Sequence, residues 1–421
     1  MPTASLTATF AWWLLIAGAL LGSGYWLIVR LRIRRSIDVT PDLADVLESV
    51  ASCEERSLGK VAIIIPAHNE EGSIAACATS VMQQQGVDFI AIFVLDRCTD
   101  ATAEVLAEIV GGDNRARVVH VDHCPPDWAG KCHAAQAASQ HALALPDVEW
   151  LLFIDADTEA DCQLAQAAIS LASEGIEQGS RIDLLSLLNT LRGHHWFERI
   201  VQPAASMELL RMFPPDRVNQ RDSDRNFSNG QFLLFRRDVY EAVGRHAAVK
   251  DDLLEDIAFA RAVRRGGFRG CVAFDGGMLK SSMHESFAEF ELGWQRIFIE
   301  AAKRKPQRLR RYARRLALIT AGDVGVRYGL LTWLICDAIM RQGNLSTWWF
   351  LGLIVLLCNV TCKLLALKAP YARQRLSLVS LLLQPIGAAL VARVLSQSAR
   401  ALEQRTPVRW GGKEYVLEPR A

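Results

Sequence analysis

Asp155 and Asp157 stand one residue apart at the end of the apolar run Leu151-Leu152-Phe153-Ile154. Alternate side chains on an extended backbone share a face, so both carboxylates can give oxygen to one hard cation, Mg2+ or Mn2+. Such an ion would bridge diphosphate oxygens and neutralise a leaving group's charge; the alternative is a solvated turn. Asp96 likewise ends an apolar run, Ile90 to Leu95, where a carboxylate can hydrogen-bond a base or ribose. Thr99, Asp100 and Glu71 read equally well as caps, because Asp, Thr and Glu favour the first turn of a helix. Lys131 opens a helical stretch after Gly130, adding a point charge to backbone N–H groups that can cradle a phosphate. Otherwise it is a solvated lysine near Trp128. Asp251, Asp252, Glu255 and Asp256 crowd one turn and raise one another's pKa values, which fits an acidic helix N-terminus or a second cation site.

The elements that must position these groups follow a rhythm. Val61 to Ile65, Ile90 to Leu95, Val118 to Val121 and Trp150 to Ile154 are short apolar runs separated by Ala-rich amphipathic stretches. This is the βαβ pattern of a mainly parallel sheet, in which ligands bind beyond the carboxyl ends of the strands. Asp96, Asp155 and Asp157 fall at such ends.

Apolar segments flank that pattern. Of the 421 residues 51% are hydrophobic, high for a soluble enzyme. Residues 1 to 29 carry no charge, and Phe10 to Val29 suffices for a bilayer crossing of about 20 helical residues. Arg30, Arg32, Arg34 and Arg35 follow it, so an uncleaved anchor with the next domain on the cytoplasmic side is expected. Gln342 to Cys362 and Leu376 to Ala392 are further uncharged membrane candidates. Leu316 to Met340 spans or lies at the interface, with Asp323 and Arg327 four apart and able to pair on one helical face. The basic run Lys303 to Arg315, with eight Lys and Arg, is expected to meet anionic phospholipid headgroups. A net charge of +1 lacks the electrostatic footprint of a dedicated nucleic-acid binder, so no nucleic-acid partner is expected. Ten cysteines show neither metal-ligand spacing nor a secreted disulfide framework; the close pair Cys358 and Cys362 lies in an apolar stretch. His284 is a lone histidine, more often structural than a ligand.

Taken together, residues 58 to 300 resemble glycosyltransferase family 2, the inverting nucleotide-sugar enzymes of the GT-A fold. Ile63-Ile64-Ile65-Pro66-Ala67-His68-Asn69-Glu70 is similar to the family's opening Pro-x-x-Asn-Glu motif, which implies donor contacts for Pro66, Asn69 and Glu70. Asp96 matches a nucleotide-contacting carboxylate, although Leu95 and Cys98 replace the Asp and Ser usual around it. Asp155 and Asp157 fall on the metal motif, Asp155 also serving the nucleotide sugar. Glu255 and Asp256 resemble the Glu-Asp motif whose second acid is the base that takes the acceptor's proton during inverting attack. Pro125 to Lys131 looks like the Gly-Trp-x-Gly-Lys element of lipid-modifying branches. Asn226 to Leu234, with Asn229, Gly230 and Gln231, resembles the acceptor-side segment of carotenoid and hopanoid-associated glycosyltransferases, as does the tail Val408 to Tyr415. Gly293-Trp294-Gln295-Arg296 lies where processive synthases carry Gln-x-x-Arg-Trp, but the order is reversed. Trp294 and Arg296 suit an acceptor platform or diphosphate contact, or an amphipathic helix lying on the membrane.

The resemblance implies an α/β, Rossmann-like GT-A cytoplasmic domain flanked by transmembrane helices. The expected divisions are an anchor over 1–35, a linker over 36–57, the catalytic domain over 58–300, a basic interfacial segment over 301–315, membrane segments over 316–396 and a tail over 397–421. It further implies a multi-pass protein of the inner membrane that moves a sugar, with Mg2+ or Mn2+, from a nucleotide-diphosphate sugar to a hopanoid- or carotenoid-like lipid, non-processively. The alternatives are a processive polysaccharide synthase and a catalytically silent membrane module.

Overall fold

A computed structural model describes residues 6–50, 58–176, 180–191, 195–250, 252, 254–281, 286–410 and 413–420. Asp251, Leu253, His284, Gly411 and Gly412 lie outside them. The chain opens with α1 (Leu6–Asp38) and α2 (Leu43–Val50). There follow β1 (Lys60–Ala67), α3 (Ile74–Met82), β2 (Asp88–Asp96), α4 (Thr102–Val110), β3 (Ala116–Val121), α5 (Gly130–Leu143) and β4 (Val148–Ile154). Next come β5 (Thr158–Ala160), α6 (Leu164–Glu174), β6 (Leu184–Leu188), β7 (Thr190–Leu191), α7 (Trp196–Ile200), α8 (Gln202–Met212) and α9 (Pro215–Val218). The domain ends with β8 (Phe232–Arg236), α10 (Arg237–Ala242), α11 (Glu255–Arg265), β9 (Gly270–Phe274), β10 (Leu279–Ser281) and α12 (Phe287–Ala301). Helices α13 (Pro306–Met340), α14 (Thr347–Arg373), α15 (Leu378–Leu382) and α16 (Gln384–Glu403) precede a hairpin, β11 (Val408–Trp410) and β12 (Lys413–Tyr415).

The seven-stranded sheet has the order β3-β2-β1-β4-β8-β6-β9. Its first four strands are parallel, as the rhythm of the sequence predicts, and β8 alone runs antiparallel to both neighbours. Strands β1 and β4 are apolar over nearly their whole length because both faces are covered. Leu106, Ala168 and Val81 pack on one face; Ala138, Tyr240 and Phe259 pack on the other. The α/β GT-A class expected from the sequence is the one observed. Between β1 and β4 the strand order reverses, the crevice where such sheets bind ligands.

Among the described residues, three helices are long and apolar enough to cross a membrane: residues Thr9–Asp38, α13 and α14. Trp12 stacks on Trp333 with ring centroids 3.8 Å apart, joining α1 to α13. The expected pairing of Asp323 with Arg327 forms at 2.7 Å, and Lys363 of α14 adds a second cation at 2.8 Å. Trp26 Nε1 of α1 donates to the same carboxylate at 3.0 Å. One buried acid thus fastens three helices.

Some expected boundaries differ. The basic segment 301–315 is not separate, since α13 starts at Pro306 and runs unbroken through Arg315 into the apolar stretch. Proline at a first turn loses no hydrogen bond, which lets the helix begin there. Leu376 to Ala392, expected as a membrane segment, is divided at Leu383, and neither α15 nor α16 is long and apolar enough to cross by itself. The apolar residues of α16 are used in packing: Val391, Val394 and Leu395 bury against α12 and α13 residues such as Phe298 and Leu309. Part of the 36–57 linker is also built in, because α2 buries Leu43 against the sheet domain.

Candidate active site

The loops leaving β1 and β2 are locked together. Asn69 holds a left-handed backbone, φ 57°, a conformation asparagine tolerates better than most residues. Its Oδ1 accepts a hydrogen bond from Thr99 N–H at 2.8 Å. The Asp100 carboxylate accepts from Glu71 N–H and Thr102 N–H, each at 3.1 Å, while Glu71 accepts from Ala101 N–H at 3.0 Å. Asp100 and Glu71 therefore serve the backbone N–H groups at the helix starts, whereas Thr99 donates from both its N–H and its hydroxyl to Asn69, which supports the loop. Pro66 lies within β1, opposite Val94. Glu70 accepts from Ser73 Oγ at 2.6 Å; burial, aided by the nearby charge of Asp155, pushes its carboxyl pKa up despite that bond.

Asp96 ends β2 as expected, but Arg97 grips both of its oxygens, Nε at 2.9 Å and Nη2 at 2.7 Å. The carboxylate is 4% exposed. A Cβ at Gly130 would come within 2.7 Å of Arg97 Nη2, so a glycine there lets α5 start hard against this pair. The sequence offered Arg97 as a signal, since it adjoins Asp96, yet its role as the partner was not read from it.

Lys131, one residue farther on, is the hub of the site. Its Nζ lies 2.6 Å from Asp155 Oδ1 and 3.0 Å from Glu255 Oε1, and donates to Gly230 O at 3.4 Å. Burial opposes its charge, but the two carboxylates outweigh burial and raise its pKa. In turn the lysine offsets burial at Glu255, whose pKa falls, and only partly offsets it at Asp155, whose pKa stays raised. At Asp157 that help is outweighed: burial, with Asp155 and Glu70 nearby, pushes its pKa well up despite the lysine's charge. Its Oδ1 is buried and has no hydrogen-bond partner among the described residues.

Asp256 is held from two sides. Gly230 N–H donates to Oδ2 at 2.8 Å and Ile257 N–H donates to Oδ1 at 2.6 Å. Burial and the adjacent Glu255 nevertheless push its pKa up to about 7. Ser228 Oγ donates to the Asp256 carbonyl at 2.6 Å, which ties the 226–231 segment to the start of α11. A Cβ on Gly230 would sit 3.3 Å from Asp256 Oδ2, tighter than most such contacts, so the bare backbone is what admits the carboxylate.

The remaining expected residues divide. Asn229 Nδ2 donates to Leu187 O at 3.0 Å and Asn189 Oδ1 at 2.9 Å, and its N–H donates to Ser186 Oγ at 2.7 Å. It positions Gly230 from the end of β6, with Gln231 buried behind it. Ser186 and Asn189 were not legible as functional, because β6 itself was not read from the sequence, whereas Ser228 lies within the 226–234 segment that was. Trp294 corrects an expectation outright: it is neither a platform nor a membrane-facing ring. It is 3% exposed, donates from Nε1 to Gln202 Oε1 at 2.9 Å and packs on Phe290 and Phe298. Arg296, two residues on, faces the other way, towards Glu255, Asp256 and Asp155; burial lowers its pKa while those carboxylates oppose the change. Tyr415 of the final hairpin packs against the Trp294 cluster, and its hydroxyl lies beside Gly130 and Arg97.

Residues 62–244 match the profile of the family described as Glycosyl transferase family 2. These residues form a family 2 glycosyltransferase domain. Glu255, Asp256 and Arg296 of the site lie beyond the matched stretch. Among curated proteins, the 4,4'-diaponeurosporenoate glycosyltransferase of Staphylococcus aureus is 30% identical over 206 residues, 48% of this chain and 50% of the relative. The alignment thus spans about half the length of the curated relatives it matches. Among solved structures, the mannosyltransferase PcManGT from Pyrobaculum calidifontis, in complex with GDP-Man and Mn2+, aligns at 16% identity and a TM-score of 0.42, covering 92% of this chain and 96% of that one. Glucosyl-3-phosphoglycerate synthase from Mycobacterium tuberculosis aligns at 16% identity and a TM-score of 0.37, over 62% and 84%. With such low scores, the architecture of the glycosyltransferase domain rests on its own sheet and on the family profile.

Proposed function

We propose that the protein transfers a sugar from a nucleotide-diphosphate sugar to a hydroxyl of a membrane lipid, hopanoid- or carotenoid-like, with inversion and one sugar at a time. The observation that carries the reading is the gathering of Asp155, Asp157, Glu255 and Asp256 around Lys131 at the carboxyl edge of a family 2 glycosyltransferase domain. The buried, partnerless oxygen of Asp157 beside Asp155 fits a divalent cation, Mg2+ or Mn2+, held by those two residues. When bound, that ion supplies charge neutralisation for the departing nucleoside diphosphate.

The chain's own groups do the rest. Asp256, fixed by two backbone N–H groups, takes the proton of the acceptor hydroxyl as that oxygen attacks the anomeric carbon. A base whose pKa is near 7 is matched to that task. Lys131 and Arg296 supply positive charge for the diphosphate, and Asp96 with Arg97 lines the nucleoside end. Flanking apolar helices keep the domain at the cytoplasmic face, where the basic start of α13 meets anionic headgroups. A relative named for 4,4'-diaponeurosporenoate supports a carotenoid-type lipid acceptor, with a carboxylate in that compound where a hydroxyl is proposed here.

The test is release of nucleoside diphosphate by the purified full chain in detergent, screened over nucleotide sugars with Mn2+ or Mg2+. Release that stops on chelation, is absent in Asp157→Ala and rises with added membrane-lipid extract is expected. A folded protein that releases nothing from any donor with any metal or lipid would favour the silent module.

A further inference from the structure

We infer that the groove between α13 and α16 is a second ligand site, for a phosphate-bearing anion. The groove has a volume of about 420 Å3 and is lined by Arg310, Ala313, Arg314, Ser396 and Arg400. Pockets of this size take ligands in the small-molecule range. Arg310 and Arg314 are four apart on α13, and Ser396 and Arg400 are four apart on α16, so two successive turns of each helix supply the walls. Ala313, small and buried, leaves room between them.

Charge decides what the groove suits. Other arginines of this region meet carboxylates: Arg304 with Glu300, Arg315 with Glu208, Arg393 with Glu291 and Arg405 with Glu418. Among the described residues no acidic side chain lines the groove, and Glu403 pairs with Arg310, at its margin. Three guanidinium groups against one carboxylate leave a surplus of two positive charges, and like charges four apart on a helix repel. Guanidinium forks match phosphate oxygens two at a time, and the Ser396 hydroxyl adds a donor of the right kind. The height of the groove names the source to compare first. Arg314 stands two residues before Leu316, where α13 turns apolar, so the groove sits at the level of lipid phosphates. A soluble phosphate presents the same chemistry. The inference sharpens the proposed headgroup contact of α13 into a defined site and is independent of the sugar-transfer chemistry, since none of these residues belongs to the carboxylate site.

The full chain is reconstituted in phosphatidylcholine nanodiscs, and its thermal unfolding midpoint is followed while phosphatidylglycerol is increased, or inorganic phosphate is added at constant ionic strength. The variants are Arg314→Gln and Arg400→Gln, with Arg311→Gln, an exposed neighbour on α13 that does not line the groove, as the control. The midpoint is expected to rise with ligand. Arg314→Gln and Arg400→Gln should each weaken the response by about tenfold or more, as loss of charged hydrogen bonds implies. Arg311→Gln should weaken it by no more than about fivefold, the effect of one surface charge. A response to phosphatidylglycerol alone identifies a lipid headgroup, and a response to inorganic phosphate identifies a soluble anion; both support the site. Equal weakening by all three variants means diffuse attraction to a basic face, and that result, or no response of the unaltered protein to either probe, overturns the inference.

Discussion

Asp256 carries opposite pH dependences for activity and for stability. With its pKa raised to about 7, it is a base only above that value, so kcat/KM should climb with unit slope below pH 7 and level off above it. The proton is bound more tightly in the folded protein than in the unfolded chain. This group's contribution to stability is therefore fullest below the ordinary carboxylate pKa and is lost as pH rises through about 7. Asp256→Asn should cut transfer by about 10²–10⁴-fold and abolish that limb of the pH profile while the unfolding midpoint holds or rises. Lys131→Met should do more general damage: Asp155 and Glu255 lose their cation, and about 2 kcal/mol of stability should go with it in chemical denaturation, below the buried-pair range because the ammonium is 28% exposed. Asp155 and Asp157 were legible because two carboxylates one residue apart end a fully apolar strand, whereas Asp256, in a helix's first turn where acids are favoured, was legible only through the family resemblance. Trp294 misled because a tryptophan beside an arginine looks the same in sequence whether the ring faces a ligand or a core.

The parallel strands β1, β2 and β4 announced themselves as apolar runs, since a strand covered on both faces has little room for polar residues, and the exposed edge strand β3 showed through its β-branched valines. Strands β6 and β9 did not, because they are five residues each, with β6 joined to the antiparallel β8 and β9 to β6 outside the βαβ rhythm. Their absence from the sequence reading hid Ser186 and Asn189, which hold the loop that carries Gly230. Helix α12 shows how one element serves two ends: Trp294 is sealed against Gln202 of α8 while Arg296 faces the carboxylates. Trp294→Ala should therefore cost about 3–5 kcal/mol in unfolding measurements, and Trp294→Phe much less, with donor KM in the folded Phe variant little changed. A donor or acceptor KM raised tenfold in Trp294→Phe at unchanged stability would return the ring to the binding surface. The helix expected from Leu376 to Ala392 failed for a similar reason, as apolar residues buried against protein and against lipid read alike.

Across the molecule, the glycosyltransferase domain is followed by the helix bundle that fixes it in place, and Asp323 is the bundle's pin. Asp323→Asn leaves Lys363 and Arg327 sharing no anion, and should lower the stability of the chain in detergent by about 3 kcal/mol, measurable as a fall in its unfolding midpoint. Sequence alone placed Asp323 and Arg327 on one helical face; the third helix could not be foreseen, because pairing between distant segments leaves no local periodicity. The proposed lipid acceptor accounts for a sugar-transfer site placed beside apolar helices, and a processive synthase would place one there too, so the acceptor is what must be measured. The most direct measurement follows radiolabelled sugar from the donor identified by release, with the full chain reconstituted in bacterial membrane lipid. Label should appear in a discrete, organic-soluble glycolipid carrying one sugar of inverted anomeric configuration, and should be missing from that fraction with Asp256→Asn. Label found in a long water-soluble polymer, or only as free sugar whatever lipid is supplied, would contradict the account.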